Sequence, residues 1–195
     1  MKTAVREKPE IKYALGRCSL GVILVAASVK GVCAILLGDQ SAPLLDSLRE
    51  RFPAAQLIEA PGSLARTVEK VAQLVESPGI RLDVPLDARG TDFQQRVWRA
   101  LREIPVGATA TYTDIASRIG SPKSVRAVAQ ACAANPIAVA IPCHRVVRSD
   151  GALSGYRWGV ERKRTLLARE VSERGSCPDS RPPRPSLKGH LGGAR

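Results

Sequence analysis

The chain has 195 residues, of which 44% are hydrophobic and 4% aromatic, and its formal net charge is +12 at pH 7. The apolar content excludes disorder along the whole chain, and no run of about eighteen apolar residues is present to form a membrane-spanning helix. The excess of Lys and Arg predicts an anionic partner, most simply nucleic acid. The short apolar run 21–27 does not have the pattern of a signal segment, so we expect a cytoplasmic protein without membrane contact.

The first half of the chain has the hydrophobic pattern of a mixed α/β domain. Three apolar runs of the strand type are separated by breaks that contain Gly or Ser, and two helical patterns and a short fourth run follow them. The predicted strands cover 13–18, 20–27, 31–37 and 56–59, and the predicted helices cover 41–51 and 63–76. Ser63 is the expected N-cap of the second helix. Because positive and negative charges nearly balance here, we interpret residues 1–89 as a scaffold domain.

A second domain is predicted over residues 90–171, where most of the net positive charge lies. Thr91 and Gln94 have the spacing of a capping box and predict the start of a helix over 92–103. Two shorter helical patterns follow, separated by a break that contains Gly and Pro. They cover 113–119 and 124–134. Two short helices joined by a tight turn are typical of a helix-turn-helix, and the surrounding cations favour contact with DNA.

The last part of the chain, residues 172–195, is rich in Pro and Gly and has few large apolar residues. This composition predicts a disordered basic tail that includes Cys177. The preceding segment Glu161–Arg164 has the charge pattern of a solvated helix face. Trp98 and Trp158 are interpreted as packing residues.

Cysteine usage agrees with an intracellular location. Five cysteines are present, no two of them form a CxxC pair, and the chain has only two histidines. A zinc site needs about four suitably spaced ligands, so we expect no metal site. An odd number of cysteines suggests free thiols. We interpret Cys18, Cys33 and Cys132 as small buried hydrophobic residues.

Cys143 and His144 are adjacent in an apolar segment that begins at Ile141. A nucleophilic sulfur must be a thiolate, and an imidazole can take the thiol proton. Neighbouring side chains on a strand point to opposite faces, so either the backbone turns here or a water molecule bridges the two groups. The residues alone leave open whether His144 activates Cys143 or is an incidental neighbour of a buried cysteine.

The segment Pro142–Val146 resembles the active-site motif of the O6-alkylguanine-DNA alkyltransferases, also called methylated-DNA–protein-cysteine methyltransferases. Five further segments resemble, in order and spacing, the family's opening helix, helix-turn-helix, hinge and substrate loop. They are Gly90–Trp98, Thr111–Ala116, Arg126–Val128, Asn135–Pro136 and Ser154–Gly159. The segment Tyr13–Cys18 resembles the alkyltransferase half of bacterial Ada-type proteins. The resemblance implies an α/β N-terminal domain with a small mixed or antiparallel sheet. A mostly α, winged-helix-like helix-turn-helix domain would follow it.

The resemblance also implies a DNA repair reaction without a cofactor. Cys143 would take the alkyl group from O6-alkylguanine, and from O4-methylthymine, in double-stranded DNA, irreversibly and once per molecule. His144 would deprotonate Cys143 through a water molecule, and Glu170 would orient His144. Tyr112 would donate a proton or hydrogen bond to a ring nitrogen of the leaving base. The residues implied to contact the substrate are Val146, Arg157, Tyr156 and Asn135.

Recognition of DNA is implied to require base flipping, because the reacting atom lies inside the duplex. The second helix of the helix-turn-helix would enter the minor groove, where its small side chains permit close approach. Arg126 would fill the space that the base leaves. The positions expected to contact DNA phosphates are Thr113, Gln94, Ser121 and Ser149, and Tyr112 is expected to contact DNA at the flipped base. We expect a monomer.

Alternative functions differ in what Cys143 does. A non-catalytic lesion-binding protein of this family would lack the acceptor cysteine, and the presence of Cys143 argues against it. A helix-turn-helix regulator would prefer a DNA sequence, and a cysteine hydrolase would turn over repeatedly on an acyl substrate. The cysteine cluster of the zinc domain in Ada-type regulators has no counterpart in the sequence, so we do not expect a transcriptional switch from this polypeptide alone.

Overall fold

The computed structural model describes residues 8–80 and 82–176. The first half contains four strands, β1 (Glu10–Cys18), β2 (Gly21–Ser28), β3 (Gly31–Gly38) and β4 (Gln56–Glu59). They form one sheet in the order β3-β2-β1-β4, in which β1 and β4 are parallel and the other pairs antiparallel. The predicted mixed sheet is therefore confirmed.

Two helices cover this sheet. Helix α1 (Ser41–Arg51) packs against β2 and β3, and helix α2 (Pro61–Glu76) packs against β1 and β2. The expected N-cap of α2 is wrong: the helix starts two residues earlier, at Pro61, with Ala60 as N-cap. Proline favours the first helical position because its fixed φ suits the helix and its missing N–H is not needed there.

The outer edge of β3 is closed by two segments from later in the chain. Val32 N donates to Pro85 O at 2.8 Å. Ile35 N donates to Pro136 O at 3.0 Å, and Ala138 N donates to Ile35 O at 2.9 Å. The strand is buried along most of its length, so its unpaired backbone groups need such partners. The sheet thus holds the segment that leads to Cys143.

The second half is mostly helical. Helices α3 (Asp92–Arg102), α4 (Tyr112–Arg118) and α5 (Val125–Ala133) come first, and α6 (Val160–Ser176) follows. The capping box of Thr91 and Gln94 at the start of α3 is confirmed. Helix α4 begins at Tyr112 rather than at residue 113, because Thr111 and Asp114 form a second capping box. Helices α4 and α5 pack on one another and on α3, as the helix-turn-helix prediction requires.

A pair of two-residue strands connects this helical part to the Cys143 segment. β5 (Ala110–Thr111) and β6 (Val146–Val147) are parallel, so the start of α4 lies beside the residues that follow Cys143. One cluster of buried side chains runs from the sheet into the helices. The fold class predicted from the sequence is confirmed, whereas the domain boundary at residue 89 remains a prediction.

The C-terminal helix corrects one expectation. Because α6 continues to Ser176, the prediction of a disordered tail from residue 172 is wrong for its first five residues. The rest of the predicted tail, with Cys177, lies outside the described residues. Within the described part of the chain, no helix is long and apolar enough to cross a membrane.

Candidate active site

Cys143 opens a single 3₁₀ turn, Cys143–Arg145, between α5 and β6. The backbone therefore turns between Cys143 and His144, as the first of the two alternatives requires. His144 Nδ1 nevertheless makes no direct hydrogen bond to the sulfur, so the turn does not remove the need for a bridging water. The Cys143 side chain is buried, with 5% of the residue exposed. In the segment before it, Val139 has a φ of +58°, a conformation that β-branched residues rarely adopt. Such a residue persists only where the surrounding structure holds it.

Asn135 fixes the position of the sulfur. Its Nδ2 donates to Ile141 O at 2.8 Å and to Cys143 Sγ at 3.1 Å, and its Oδ1 accepts from Ile137 N at 2.9 Å. The three contacts determine which way the amide points, because only Nδ2 can donate and only Oδ1 can accept. An N–H directed at the sulfur stabilises a thiolate more than a thiol. Asn135 thus contacts the Cys143 sulfur and the backbone of the segment that precedes it.

Beside Cys143, His144 and Arg145 share one carboxylate. His144 Nε2 lies 2.7 Å from Glu170 Oε1, and Arg145 Nε lies 3.0 Å from both oxygens of Glu170. Gly107 N also donates to Glu170 Oε2, at 3.2 Å. Arg145 Nη1 donates to Ile104 O at 2.5 Å. Glu170 is fully buried, so each of these donors replaces part of its lost hydration.

The charges in this group can be assigned. Burial raises the pKa of Glu170, but hydrogen bonds and charge from His144 and Arg145 reverse this and hold it below its ordinary value. Burial lowers the pKa of His144, and Glu170 offsets part of that effect. A carboxylate has no proton to give, so a neutral His144 donates from Nε2 and has its lone pair on Nδ1. Nδ1 is buried and makes no hydrogen bond to any described residue.

Cys143 is protonated in this state. Burial raises the pKa of its thiol to about 11, although the Asn135 amide and the charge of Lys163 act in the opposite direction. Its ionisation therefore needs a base, and His144 Nδ1 has the free lone pair for that task. Burial also raises the pKa of Cys132. Cys33 and Cys132 are buried, as expected, whereas Cys18 is half-buried.

Cys143 lies at a cavity of about 450 Å³, a size typical of ligand pockets, which are about 300–1,000 Å³. The start of α4, one face of α5 and the loop 154–157 line it together. Among the lining residues are Tyr112, Cys132, Ala133, Cys143, Tyr156 and Arg157. The structure therefore brings three of the predicted site residues, Tyr112, Tyr156 and Arg157, to one cavity with the sulfur.

Sequence reasoning missed a buried lysine beside this cavity. Lys163 is 1% exposed, although the segment around it was expected to be a solvated helix face. Its Nζ donates to Val146 O at 2.6 Å and to Ser154 Oγ at 3.1 Å. The spacing of Lys163, Leu166 and Glu170 places all three on one face of α6 and could have indicated burial. The contact of Arg145 with Glu170 was also not predicted, because the sequence indicated Arg145 only as a member of the Pro142–Val146 motif.

The remaining predicted residues occupy different positions. Tyr156 packs edge-on against Trp158, with ring centroids 5.1 Å apart, and its buried hydroxyl makes no hydrogen bond to a described residue. Trp158 and Trp98 are buried, as expected of packing residues. Val146 is buried, and its carbonyl already accepts from Lys163.

The predicted DNA contacts differ in exposure. Arg126, Thr113 and Ser149 are exposed, and Ser121 is half-buried. The side-chain oxygen of Gln94 accepts from Thr91 N in the capping box. These roles in DNA binding remain predictions.

Fold and site together define a helix-turn-helix protein with a buried free cysteine at a ligand-sized cavity. The family described as "6-O-methylguanine DNA methyltransferase, DNA binding domain" matches residues 92–172. The inducible methylated-DNA–protein-cysteine methyltransferase of Bacillus subtilis is 39% identical over 163 residues, which cover 82% of this chain and 90% of that protein. The chain belongs to the methylated-DNA–protein-cysteine methyltransferase family.

Two further relatives add detail. The bifunctional transcriptional activator/DNA repair enzyme Ada of Escherichia coli is 54% identical over 165 residues. These cover 85% of this chain but 47% of Ada, so the chain spans about half the length of that relative. Among solved structures, Mycobacterium tuberculosis OGT in complex with DNA superposes with a TM-score of 0.71 at 36% identity. That match covers 83% of this chain and 93% of the other.

Proposed function

We propose that this protein repairs alkylated guanine in double-stranded DNA by moving the alkyl group from O6 to its own Cys143. One observation carries the proposal: the buried sulfur of Cys143 lies at a cavity of about 450 Å³, fixed by the Asn135 amide. The adjacent His144 has a free ring nitrogen and a carboxylate partner. The name of the Bacillus subtilis relative states the same transfer for that protein.

The reaction begins with loss of the thiol proton. His144 Nδ1 accepts it through a water molecule, and the carboxylate of Glu170 stabilises the imidazolium that forms. The sulfur then attacks the alkyl carbon, so that an S–C bond forms while the C–O bond breaks and its electron pair stays on the base. Tyr112 donates its proton to a ring nitrogen of the base, which leaves as neutral guanine. The proton taken up by His144 then returns through water to the Tyr112 oxygen. The thioether product has no ionisable proton, so each molecule acts once.

Access to the lesion requires base flipping. The target atom is inside the duplex, and extruding a base costs about a few kcal/mol. We propose that α5 enters the minor groove and that Arg126 occupies the vacated stack. Phosphate contacts would come from Thr113, Gln94, Ser121 and Ser149, which positions the protein without reading sequence. Tyr156, Arg157, Val146 and Asn135 would hold the base or the backbone around it. O4-methylthymine is proposed as a second substrate.

Intact-mass measurement after incubation with a duplex that contains O6-methylguanine tests this function. We expect one added methyl group, located on Cys143 by peptide mapping. Cys143→Ala should lose the transfer and keep DNA binding, whereas Cys18→Ala, at a half-buried cysteine remote in sequence, should react like the wild type. An unmodified wild-type protein that still binds the lesion tightly would instead favour the non-catalytic lesion-binding alternative. Sequence-selective binding would favour a helix-turn-helix regulator.

We further propose that the protein acts as a monomer on DNA in the cytoplasm. The cavity, the sulfur and the His144–Glu170 pair are all supplied by one chain. Light scattering during size-exclusion chromatography should give the mass of one chain.

A further inference from the structure

A chain of hydrogen bonds links the cavity wall to the buried lysine. Tyr112 OH lies 2.5 Å from Ser154 Oγ, and Lys163 Nζ lies 3.1 Å from the same oxygen. The three residues come from the start of α4, the loop before α6 and α6 itself. Tyr112 and Ser154 line the cavity beside Cys143. The path from His144 to Glu170 does not include this chain.

The direction of these hydrogen bonds follows from what each group can donate. An ammonium group has only donors, so Ser154 Oγ accepts from Lys163. The serine hydroxyl has one proton, and of its two partners only Tyr112 OH can accept it. The phenolic proton of Tyr112 is then free of Ser154 and can point into the cavity.

We propose that Ser154 and Lys163 are positioning residues that aim the Tyr112 proton at the base in the cavity. The inference rests on the proposed function, since it concerns the donor to the leaving base. Donation by Lys163 and Ser154 polarises the Tyr112 hydroxyl, because hydrogen bonds in a chain strengthen one another. The arrangement therefore selects a base that presents an acceptor at this point of the cavity.

Two further observations agree with this role. Lys163 is held in place by its second hydrogen bond, to Val146 O at 2.6 Å, so its ammonium group cannot swing away from Ser154. Burial raises the pKa of Tyr112 above its ordinary value, so the phenol keeps the proton that it has to donate. Lys163 also acts on Cys143 through its charge, so Ser154 is the position at which the donor chain can be tested separately.

A double-mutant cycle tests the proposal. Single-turnover methyl transfer from an O6-methylguanine duplex is measured for the wild type, Ser154→Ala, Tyr112→Phe and the double variant. We expect Ser154→Ala to slow transfer about tenfold, the effect of losing one hydrogen bond. If Ser154 acts through the Tyr112 hydroxyl, the same change in the Tyr112→Phe protein should alter the rate by less than about twofold. Ser154→Thr, which keeps the hydroxyl, should restore most of the rate.

The controls separate this inference from the proposed function. Ser63→Ala, at an exposed serine on α2, should react like the wild type, and the affinity of Ser154→Ala for undamaged duplex should be unchanged. Wild-type transfer with equal losses from Ser154→Ala in both backgrounds would overturn the donor chain and leave the proposed function standing. Absence of methyl transfer in the wild type would overturn the proposed function and this inference with it. If Ser154→Ala is unstable, Ser154→Cys, which keeps the side-chain volume but replaces the hydroxyl with a weak donor, supplies the same comparison with and without the Tyr112→Phe change.

Discussion

At the scale of single residues, the site is organised around the buried carboxylate of Glu170. His144 and Arg145 both bind its carboxylate, and together they hold the pKa of Glu170 below its ordinary value. Burial lowers the pKa of His144, which favours its neutral form. A neutral imidazole is the form that can accept the Cys143 proton. Arg145 is therefore as much a part of the site as the His144 next to it.

Glu170→Gln should slow methyl transfer by about ten- to a hundredfold, because a neutral amide stabilises the imidazolium less than a carboxylate does. The variant should also be less stable, since Arg145 stays buried without its counter-charge, a loss of about 3–5 kcal/mol. Single-turnover kinetics and urea unfolding measure the two effects. Glu161→Gln, at the exposed start of the same helix, serves as the matched control. A wild-type rate in Glu170→Gln would contradict the proposed role.

The pH dependence of stability follows from His144. Its pKa in the folded protein lies below the ordinary value of 6.5, so the unfolded chain binds this proton at a higher pH than the folded chain does. Stability therefore falls as the pH drops below 6.5, with a slope of up to about 1.4 kcal/mol per pH unit. Urea unfolding at a series of pH values measures it. His144→Asn should flatten the curve in this range; an unchanged curve would assign the slope to another group.

At the scale of the elements, the proposed function assigns helix α5 the approach to DNA. Arg126→Ala should slow repair of a lesion in duplex DNA at least about tenfold, because a flipped base is no longer replaced in the stack. Reaction with the free modified base should be nearly unchanged, since it needs no flipping. Both rates are read from the modified protein by mass. Arg66→Ala, at an exposed arginine on α2, is the control, and equal losses on both substrates would remove the flipping role from Arg126.

The elements were predicted better than the site. Strands β1–β3 and helices α3–α5 have local apolar periods and end signals, so their positions follow from neighbouring residues. Ser63 failed as an N-cap because Pro61 gives a stronger local preference. The burial of Lys163 and the contact of Arg145 with Glu170 depend on packing between distant segments. The spacing along α6 could have indicated that Lys163 is buried, but the groups that Lys163 and Arg145 contact cannot be predicted from either segment alone.

At the scale of the whole molecule, we expect the net charge of +12 to contribute most of the affinity for undamaged DNA. Binding should weaken with salt, with a log–log slope of about −0.9 for each phosphate contact made. It should show no preference among undamaged sequences of equal length. Fluorescence anisotropy across a salt series measures both properties. A strong sequence preference that survives high salt would point to a regulator instead.

The hydrogen bonds between β3 and the backbone at residues 136–138 join the two halves of the chain a few residues before Cys143. A cut in the backbone within residues 77–84, between α2 and the segment bonded to β3, should thus leave repair activity intact as long as the two pieces remain associated. A polypeptide that contains only the second half would lack the β3 hydrogen bonds that hold the segment before Cys143. Adding the first half of the chain as a separate polypeptide should restore repair, because its sheet would again hold the segment that leads to Cys143.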